Sequence, residues 1–426
     1  MKFFSIGDRI NLKDENRRLF SNIFSLGILQ GVNYILPLIT VPYLVRVLGP
    51  DYFGLLAFST ATISYFMLIT DYGFNLSATR QISILRNNLD KLNEIFSSVM
   101  MIKTAFMIIS FILMSLLVFS FERFSENWEL YFVTFGMVLG QVLFPVWLFQ
   151  GMERMKYITF LSVGAKVFFT VCIFIFVREQ GDYLIVPLLT ALGFIVSGLL
   201  SLYLAKKEFG VSFRWQPVQN IRFQLVDGWH VFFSSIAVSL YTISTTFILG
   251  LFTNNIAVGY FAAADKIVQA VKGLYSPVSQ AIYPLISKKI HENKQVGLVF
   301  IQKVTRIIGT GMFMISLLLF MLAEQISDLI LGVQYQQSIP LLKIMAFLPF
   351  IISISNLFAV QGLYNLGKAA LVSKFIGLIA ILHLIIVTFS IYQFGTTGAV
   401  FGMLITEVIV SIVSIFYFRK QIINED

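Results

Sequence analysis

The sequence predicts an all-α integral membrane protein of about twelve transmembrane helices, arranged as two six-helix lobes around a central cavity. Three observations carry this. Of 426 residues, 57% are hydrophobic and only 12% are charged, whereas an average soluble domain is about 25% charged. Apolar stretches of about 20 residues, the length that crosses a hydrocarbon core of about 30 Å, recur along nearly the whole chain. Lysine and arginine gather in every second connection between them.

In chain order the apolar runs fall near 20–46, 53–76, 96–119, 130–150, 157–177, 183–205, 230–252, 256–284, 297–322, 339–360, 371–391 and 398–418. The first follows a charged stretch, Met1 to Arg18, with no small-residue cleavage pattern. It therefore reads as a retained helix rather than a signal peptide.

Orientation follows from the basic residues. With the N-terminus cytoplasmic, segments 1–19, 77–95, 151–156, 206–229, 285–296, 361–370 and 419–426 share one side. Counting adjoining helix ends, that side holds twenty-five of the 31 basic residues. The other side holds three, Arg46, Arg123 and Arg178, while Lys266, Lys272 and Lys343 lie within spans. The positive-inside rule then makes both termini cytoplasmic. The net charge of +9 is a topology signal and not a nucleic-acid footprint.

The connections are short. The longest outward one, Ala323 to Ser338, has room for a short helix but not for a catalytic domain. This argues against a membrane polymerase or lipid-dependent glycosyltransferase. The longest inward one, Lys206 to Trp229, sits at the midpoint and joins lobes of residues 1–210 and 211–426. The halves resemble each other. Gln150-Gly151-Met152 follows the fourth run and Gln361-Gly362-Leu363 the tenth. Leu48-Gly49 to Gly54 recurs loosely as Leu249-Gly250 to Gly259. Six spans per half make these parallel repeats, related by an axis along the membrane normal.

Polar atoms within a membrane are costly unless they face protein or water. In the eighth run Asp265, Gln269, Lys272, Ser276, Ser279 and Tyr283 follow in steps of four and three, so all six share one helix face. The second run carries Thr60, Ser64, Asp71 and Asn75, the seventh Ser235, Ser239, Thr242 and Thr246, and the first Gln30, Asn33, Pro37 and Thr40. Together they suggest a hydrated cleft; the bland reading is that the hydroxyls bond back to their own helix carbonyls. Arg46 and Lys343, near outward ends, have the alternative of snorkelling to the interface. Asp71 lies near an inward helix end and is either a solvated cap or a coupling site, and Glu407, mid-span, is either a proton site or a buried hydrogen-bonded acid. His383, in an apolar stretch, reads as a packed neutral imidazole. One cysteine, Cys172, and three scattered histidines give no metal-ligand spacing and no disulfide. No phosphate-cradling Gly-rich loop with a following lysine is present, which argues against ATP-driven transport.

Several of these segments carry a resemblance. Pro42-Tyr43-Leu44-Val45-Arg46-Val47-Leu48-Gly49-Pro50, with Tyr52-Phe53-Gly54, is similar to the first-helix hallmark of polysaccharide-repeat flippases. Asp71-Tyr72-Gly73-Phe74-Asn75 to Arg80-Gln81-Ile82-Ser83 continues it, as do Phe149 to Tyr157, Tyr260 to Ile267 and Leu274-Tyr275-Ser276-Pro277. In this order they resemble the Wzx-type (O-antigen) flippases of the multidrug/oligosaccharidyl-lipid/polysaccharide exporter superfamily. That resemblance implies an oligosaccharide linked through diphosphate to undecaprenol as cargo, moved from the inner to the outer leaflet of a bacterial cytoplasmic membrane by rocking of two lobes. It further implies no cofactor beyond a coupling H⁺ or Na⁺, and the polymerase and chain-length regulator of the same pathway as partners. Relatives that carry peptidoglycan precursors or drugs are the alternative. An anionic, hydroxylated head would meet cations and hydrogen-bonding groups, here Gln30, Asn33, Arg46, Lys266, Gln269 and Lys272; the coupling-ion candidates are Asp71, Asp265 and Glu407.

Overall fold

The structure is a computed structural model that describes residues 6–423, with side chains described for Asn22 and from Phe24 to Gln421. The topology charges of 1–19 lie outside these side chains, whereas Arg419 and Lys420 lie within them. Among the described residues the chain is helical and contains no strand. The helices are α1 (Ile6–Asp71), α2 (Phe74–Leu85), α3 (Leu89–Ser120), α4 (Glu122–Ser125), α5 (Trp128–Leu143), α6 (Val146–Gly151), α7 (Met155–Phe176) and α8 (Ile185–Phe209). They continue as α9 (Val218–Phe252), α10 (Asn255–Glu292), α11 (Lys294–Met321), α12 (Ala323–Ile330), α13 (Ser338–Met345), α14 (Leu348–Asn356) and α15 (Ala369–Ile423). A π-helical stretch, Leu357–Tyr364, sits between the last two.

Nine runs among the described residues are long and apolar enough to cross a membrane. Two of them, Phe24–Leu85 and Ala369–Gln421, have 62 and 53 residues, well over twice the roughly 20 that one crossing needs. Each breaks at a glycine with positive φ, Gly49 at 69° and Gly395 at 56°. At Gly49 the reason is local: the residue before a proline is pushed out of the helical region, and Pro50 then starts the next helix, where its missing N–H costs nothing. The 38 residues of α10 stand outside the nine because its polar face dilutes its hydropathy. With α10 and the two breaks counted, the helices leave room for about twelve spans.

The chain divides into two compact units, residues 1–36 with 62–235, and 37–61 with 236–426. These differ from the halves 1–210 and 211–426. Packing explains both differences. After α8, Ser212 donates its N–H to Asn93 Oδ1 (2.7 Å) and Arg214 donates its N–H to Ser97 Oγ (2.9 Å), which lays the connection along α3. The start of α9 is then held by α2: Arg80 pairs with Asp227 at 2.5 Å, and the Gln81 and Gln224 amides exchange hydrogen bonds of 2.9 and 2.8 Å. Tyr72 adds a donor to the Leu225 carbonyl at 3.1 Å. The first unit's core is built on buried Phe74, Phe96, Trp147 and Phe149. In the second unit, residues 50–54 lie against 255–259, Phe58 stacks on Phe247 at 5.9 Å, and Arg46 bonds the Leu329 carbonyl. Its core gathers Ile286, Leu363, Phe375 and Phe418.

The repeated Gln-Gly signal has a structural counterpart. Thr79 on α2 gives its proton to the Asn75 carbonyl at 2.7 Å and lies 3.3 Å from Gln150 Oε1, and Gln361 Nε2 donates to Ser279 Oγ on α10 at 2.9 Å. In each unit the glutamine of the repeated pair thus sits beside a helix hydroxyl, on α2 or on α10.

Candidate functional site

The polar groups form separate clusters in the two units. In the first unit α1 and α7 are joined by a ladder. Asn22 Oδ1 accepts from Met155 N at 3.3 Å, the Ser25 carbonyl from Thr159 Oγ1 at 2.8 Å, and Asn33 Oδ1 from Lys166 Nζ at 2.6 Å. The numbers rise together along both helices, so they run parallel. The expected lining residue Asn33 is therefore held by a lysine, and Gln30 donates to the Tyr34 hydroxyl at 2.9 Å.

Asp71 closes α1, where Tyr72 and Gly73 both take positive φ, 47° and 75°, before α2 begins. The turn lets Asn75 Nδ2 reach back to Asp71 Oδ1 at 2.8 Å. Lys103 of α3 is the cation acting on Asp71. Lys103 is only 1% exposed, and its ammonium also donates to the Gln141 carbonyl at 3.3 Å. Asp71 is thus half-buried, bonded to Asn75 and acted on by a buried lysine.

In the second unit the α10 stripe serves three ends. Gln269 donates to Asp265 Oδ2 at 2.5 Å, so those two satisfy each other one turn apart. Lys272 acts on Glu407 of α15. Farther along, Ser279 and Tyr275 both donate to Asn356 Oδ1, at 2.9 and 2.8 Å, and Ser279 also takes the Gln361 amide. That end of the stripe packs helices together. Lys266 is exposed and forms no ion pair among the described residues. Arg46 lies on the Leu329 carbonyl at the end of α12, and its own carbonyl accepts from Gln334 Nε2 at 3.1 Å.

Glu407 sits in a polar group made by three helices. The Tyr241 hydroxyl of α9, which has no other partner, faces it. The Tyr241 ring meets His383 edge-on at 5.1 Å. His383 is 1% exposed, with Nδ1 3.0 Å from Thr406 Oγ1 and Nε2 3.3 Å from Thr245 Oγ1. Thr406 gives its own proton to the Gly402 carbonyl at 2.7 Å. Its oxygen is then the acceptor, which assigns the imidazole proton to Nδ1 and leaves Nε2 to accept from Thr245. Both threonines complete a neutral, satisfied histidine. Thr242, by contrast, bonds back to the Val238 carbonyl at 3.1 Å.

Two lysines escaped the sequence reading. Lys103 and Lys166 were counted as helix-end topology charges, yet both lie well inside α3 and α7. Their distance from the nearest turn residues, Asn88 and Arg154, was the available signal. Among the described residues no group of three or more His, Cys, Asp or Glu is placed to hold a metal ion.

Comparison with known proteins gives the context for these clusters. Residues 19–290 match a family described as "Polysaccharide biosynthesis protein". A protein of Escherichia coli (strain K12) named "Putative O-antigen transporter" is 32% identical over 400 residues, 94% of this chain and 96% of its own. One of the same name from Shigella dysenteriae is 30% identical over 389 residues, 91% and 97% of the two chains. Among solved structures, an inward-facing multidrug resistance transporter of the MATE family in the MOP superfamily superposes with a TM-score of 0.71 at 14% identity, over 94% of this chain and 98% of that one. The lipid II flippase MurJ, in an inward closed conformation, gives 0.70 at 13% identity over 94% and 87%. At those identities the likeness is one of fold alone.

Proposed function

Because the chain belongs to the polysaccharide biosynthesis protein family, alongside O-antigen transporters, we propose that it is a lipid-linked oligosaccharide flippase and not an enzyme. Its cargo is an undecaprenyl-diphosphate-linked repeat unit, carried from the cytoplasmic to the outer leaflet of the bacterial inner membrane by alternating access. Both termini are cytoplasmic in this reading, as the basic connections argue.

The reading is supported by the family match and by two cations on a single helix, α10. Lys266 and Lys272 stand on one helix whose upper face also offers Asp265 and Gln269. A charge within a bilayer costs about 2.5–3.5 kcal/mol unless it meets a partner; Lys272 has Glu407 nearby, and exposed Lys266 is open to one. A diphosphate is a suitable one, bound by charge-assisted hydrogen bonds, while amides such as Gln30, Asn33 and Gln269 suit sugar hydroxyls. Moving an anion outward from a negative interior is favoured by about 2.3 kcal/mol per charge per 100 mV. The forward step therefore needs no nucleotide, and return of H⁺ or Na⁺ on Asp71, Asp265 or Glu407 resets the carrier. The polymerase and chain-length regulator of the same pathway are its partners.

The test is deletion in the bacterium that carries it. Repeat units on their lipid carrier should accumulate at the inner leaflet and surface polysaccharide should vanish, both restored by the intact chain. Unchanged surface polysaccharide in the deletion strain refutes the proposal.

A further inference from the structure

Lys166 is the twelfth of the 22 residues of α7, about 17 Å from the helix start at 1.5 Å per residue. Its ammonium bonds Asn33 Oδ1, a neutral amide. Among the described residues no carboxylate forms an ion pair with it. Buried Lys103 has Asp71 and Lys272 has Glu407; Lys166, near the middle of α7 with an exposed side chain, lacks a countercharge.

A cavity of about 150 Å³ opens beside it between α7 and α8, lined by Phe144, Lys166, Phe169, Thr170, Ile173 and Phe194 among others. Two hydroxyls in its wall are already satisfied: Thr190 donates to the Val186 carbonyl at 2.8 Å and Ser197 to the Gly193 carbonyl. Ser162 and Thr170 are the other two hydroxyls in a wall that is otherwise apolar, with one cation at its edge. A sugar would find few partners for its many hydroxyls there, at about 1–3 kcal/mol for each buried group left unpaired. An apolar chain ending in an anion fits both features. Next to the slot α7 exposes Phe160, Val167 and Phe168, so it adjoins lipid.

We propose that this slot is a subsite for the junction between phosphate and prenyl chain of a polyprenyl-diphosphate carrier. The phosphate meets Lys166 and the free amide hydrogens of Asn33, and the first prenyl units lie between Phe169, Ile173 and Phe194. The inference rests on the flippase reading and adds to it a lipid-reading element in the first unit, apart from Lys266 and Lys272 in the second.

The experiment measures binding of farnesyl diphosphate, inorganic diphosphate and phosphatidylglycerol to the purified full chain in a neutral detergent. Farnesyl diphosphate should bind, inorganic diphosphate should bind more weakly, and excess phosphatidylglycerol should not displace the prenyl ligand. Lys166→Gln and Thr170→Phe should each weaken farnesyl diphosphate about tenfold, equal to about 1.4 kcal/mol. Lys166→Arg should keep it, with melting temperatures of all variants showing that they fold. Unchanged affinity in both Lys166→Gln and Thr170→Phe overturns the subsite while leaving the flippase reading intact. Displacement by phosphatidylglycerol also overturns it, in favour of an ordinary lipid site. If the wild-type chain binds no prenyl diphosphate at all, the subsite fails, and the deletion experiment decides the flippase reading separately.

Discussion

Gly54 and Gly259 bring two helix backbones together so closely that neither position has room for a side chain. A Cβ at Gly54 would lie 1.8 Å from the Asn255 carbonyl oxygen, and one at Gly259 would lie 2.0 Å from the Pro50 carbonyl oxygen. The contact is reciprocal: each glycine sits four residues after the residue whose carbonyl the other one meets. These are the same glycines that mark the loose sequence repeat after the first and seventh runs. In lipid, where burying apolar surface between helices gains little, such close approach of small residues is a main source of helix association.

Replacing either glycine with alanine should therefore force the helices apart. We expect each single variant to lose about 1–3 kcal/mol, the usual cost of overpacking. Thermal melting in detergent measures this. Because both changes disrupt one contact, the double variant should lose clearly less than the two added together. Additive losses would show that the glycines act independently.

The Asp71–Lys103 relationship gives a second prediction. Lys103 is buried and is the cation acting on Asp71, so removing the lysine leaves the carboxylate without that countercharge. Lys103→Met should thus lower membrane levels and melting temperature strongly. Asp71→Asn combined with Lys103→Met should recover much of that loss, since no lone charge remains. If the double variant is as unstable as Lys103→Met alone, the lysine is held for its packing or for the Gln141 carbonyl, not for the aspartate.

Much of this was legible in the sequence, and the rest was hidden for definable reasons. Apolar runs gave the spans because length and hydropathy are local properties. The Gln-Gly repeat was legible too, and its meaning emerged as Thr79 with Gln150 and Ser279 with Gln361. The partners of Lys103 and Lys166 were not legible. A charge in a sequence reveals its depth only once the helix start is known, and α3 begins at Leu89, seven residues before the apolar run that announced it. The grouping of residues 37–61 with the second unit was hidden for another reason. Chain order cannot say which distant helix a segment packs on, and here that depends on Gly54, Phe58 and Arg46 together. The α10 stripe looked uniform because periodicity places residues on a face but does not say what covers it. Asn356 and Gln361 cover its lower part.

Arg46 yields a third prediction. Its guanidinium sits on the Leu329 carbonyl, one of the acceptors left open at the end of α12. Arg46→Lys keeps the charge but loses the planar fork, so it should perturb this anchor while leaving net charge unchanged. A lower melting temperature with wild-type affinity for a prenyl diphosphate is the expected pattern. Reduced affinity at unchanged stability would instead make Arg46 a ligand for the cargo.

Lys272 and Glu407 separate the roles of cargo and coupling ion. Lys272→Ala should abolish surface-polysaccharide assembly at normal membrane levels if the lysine meets the diphosphate. Glu407→Gln keeps the shape of the side chain and its place by Tyr241 but cannot exchange a proton. In vesicles it should retain cargo binding while transport loses its dependence on the imposed pH or Na⁺ gradient. Asp265→Asn is the informative comparison, because Asp265 already has Gln269 as a partner one turn away and lacks a cation within ion-pair distance among the described residues. If only Glu407→Gln removes the gradient dependence, coupling runs through the α9–α10–α15 cluster. If only Asp265→Asn does so, the exposed upper end of α10 carries the ion and Glu407 serves to hold Lys272 in place.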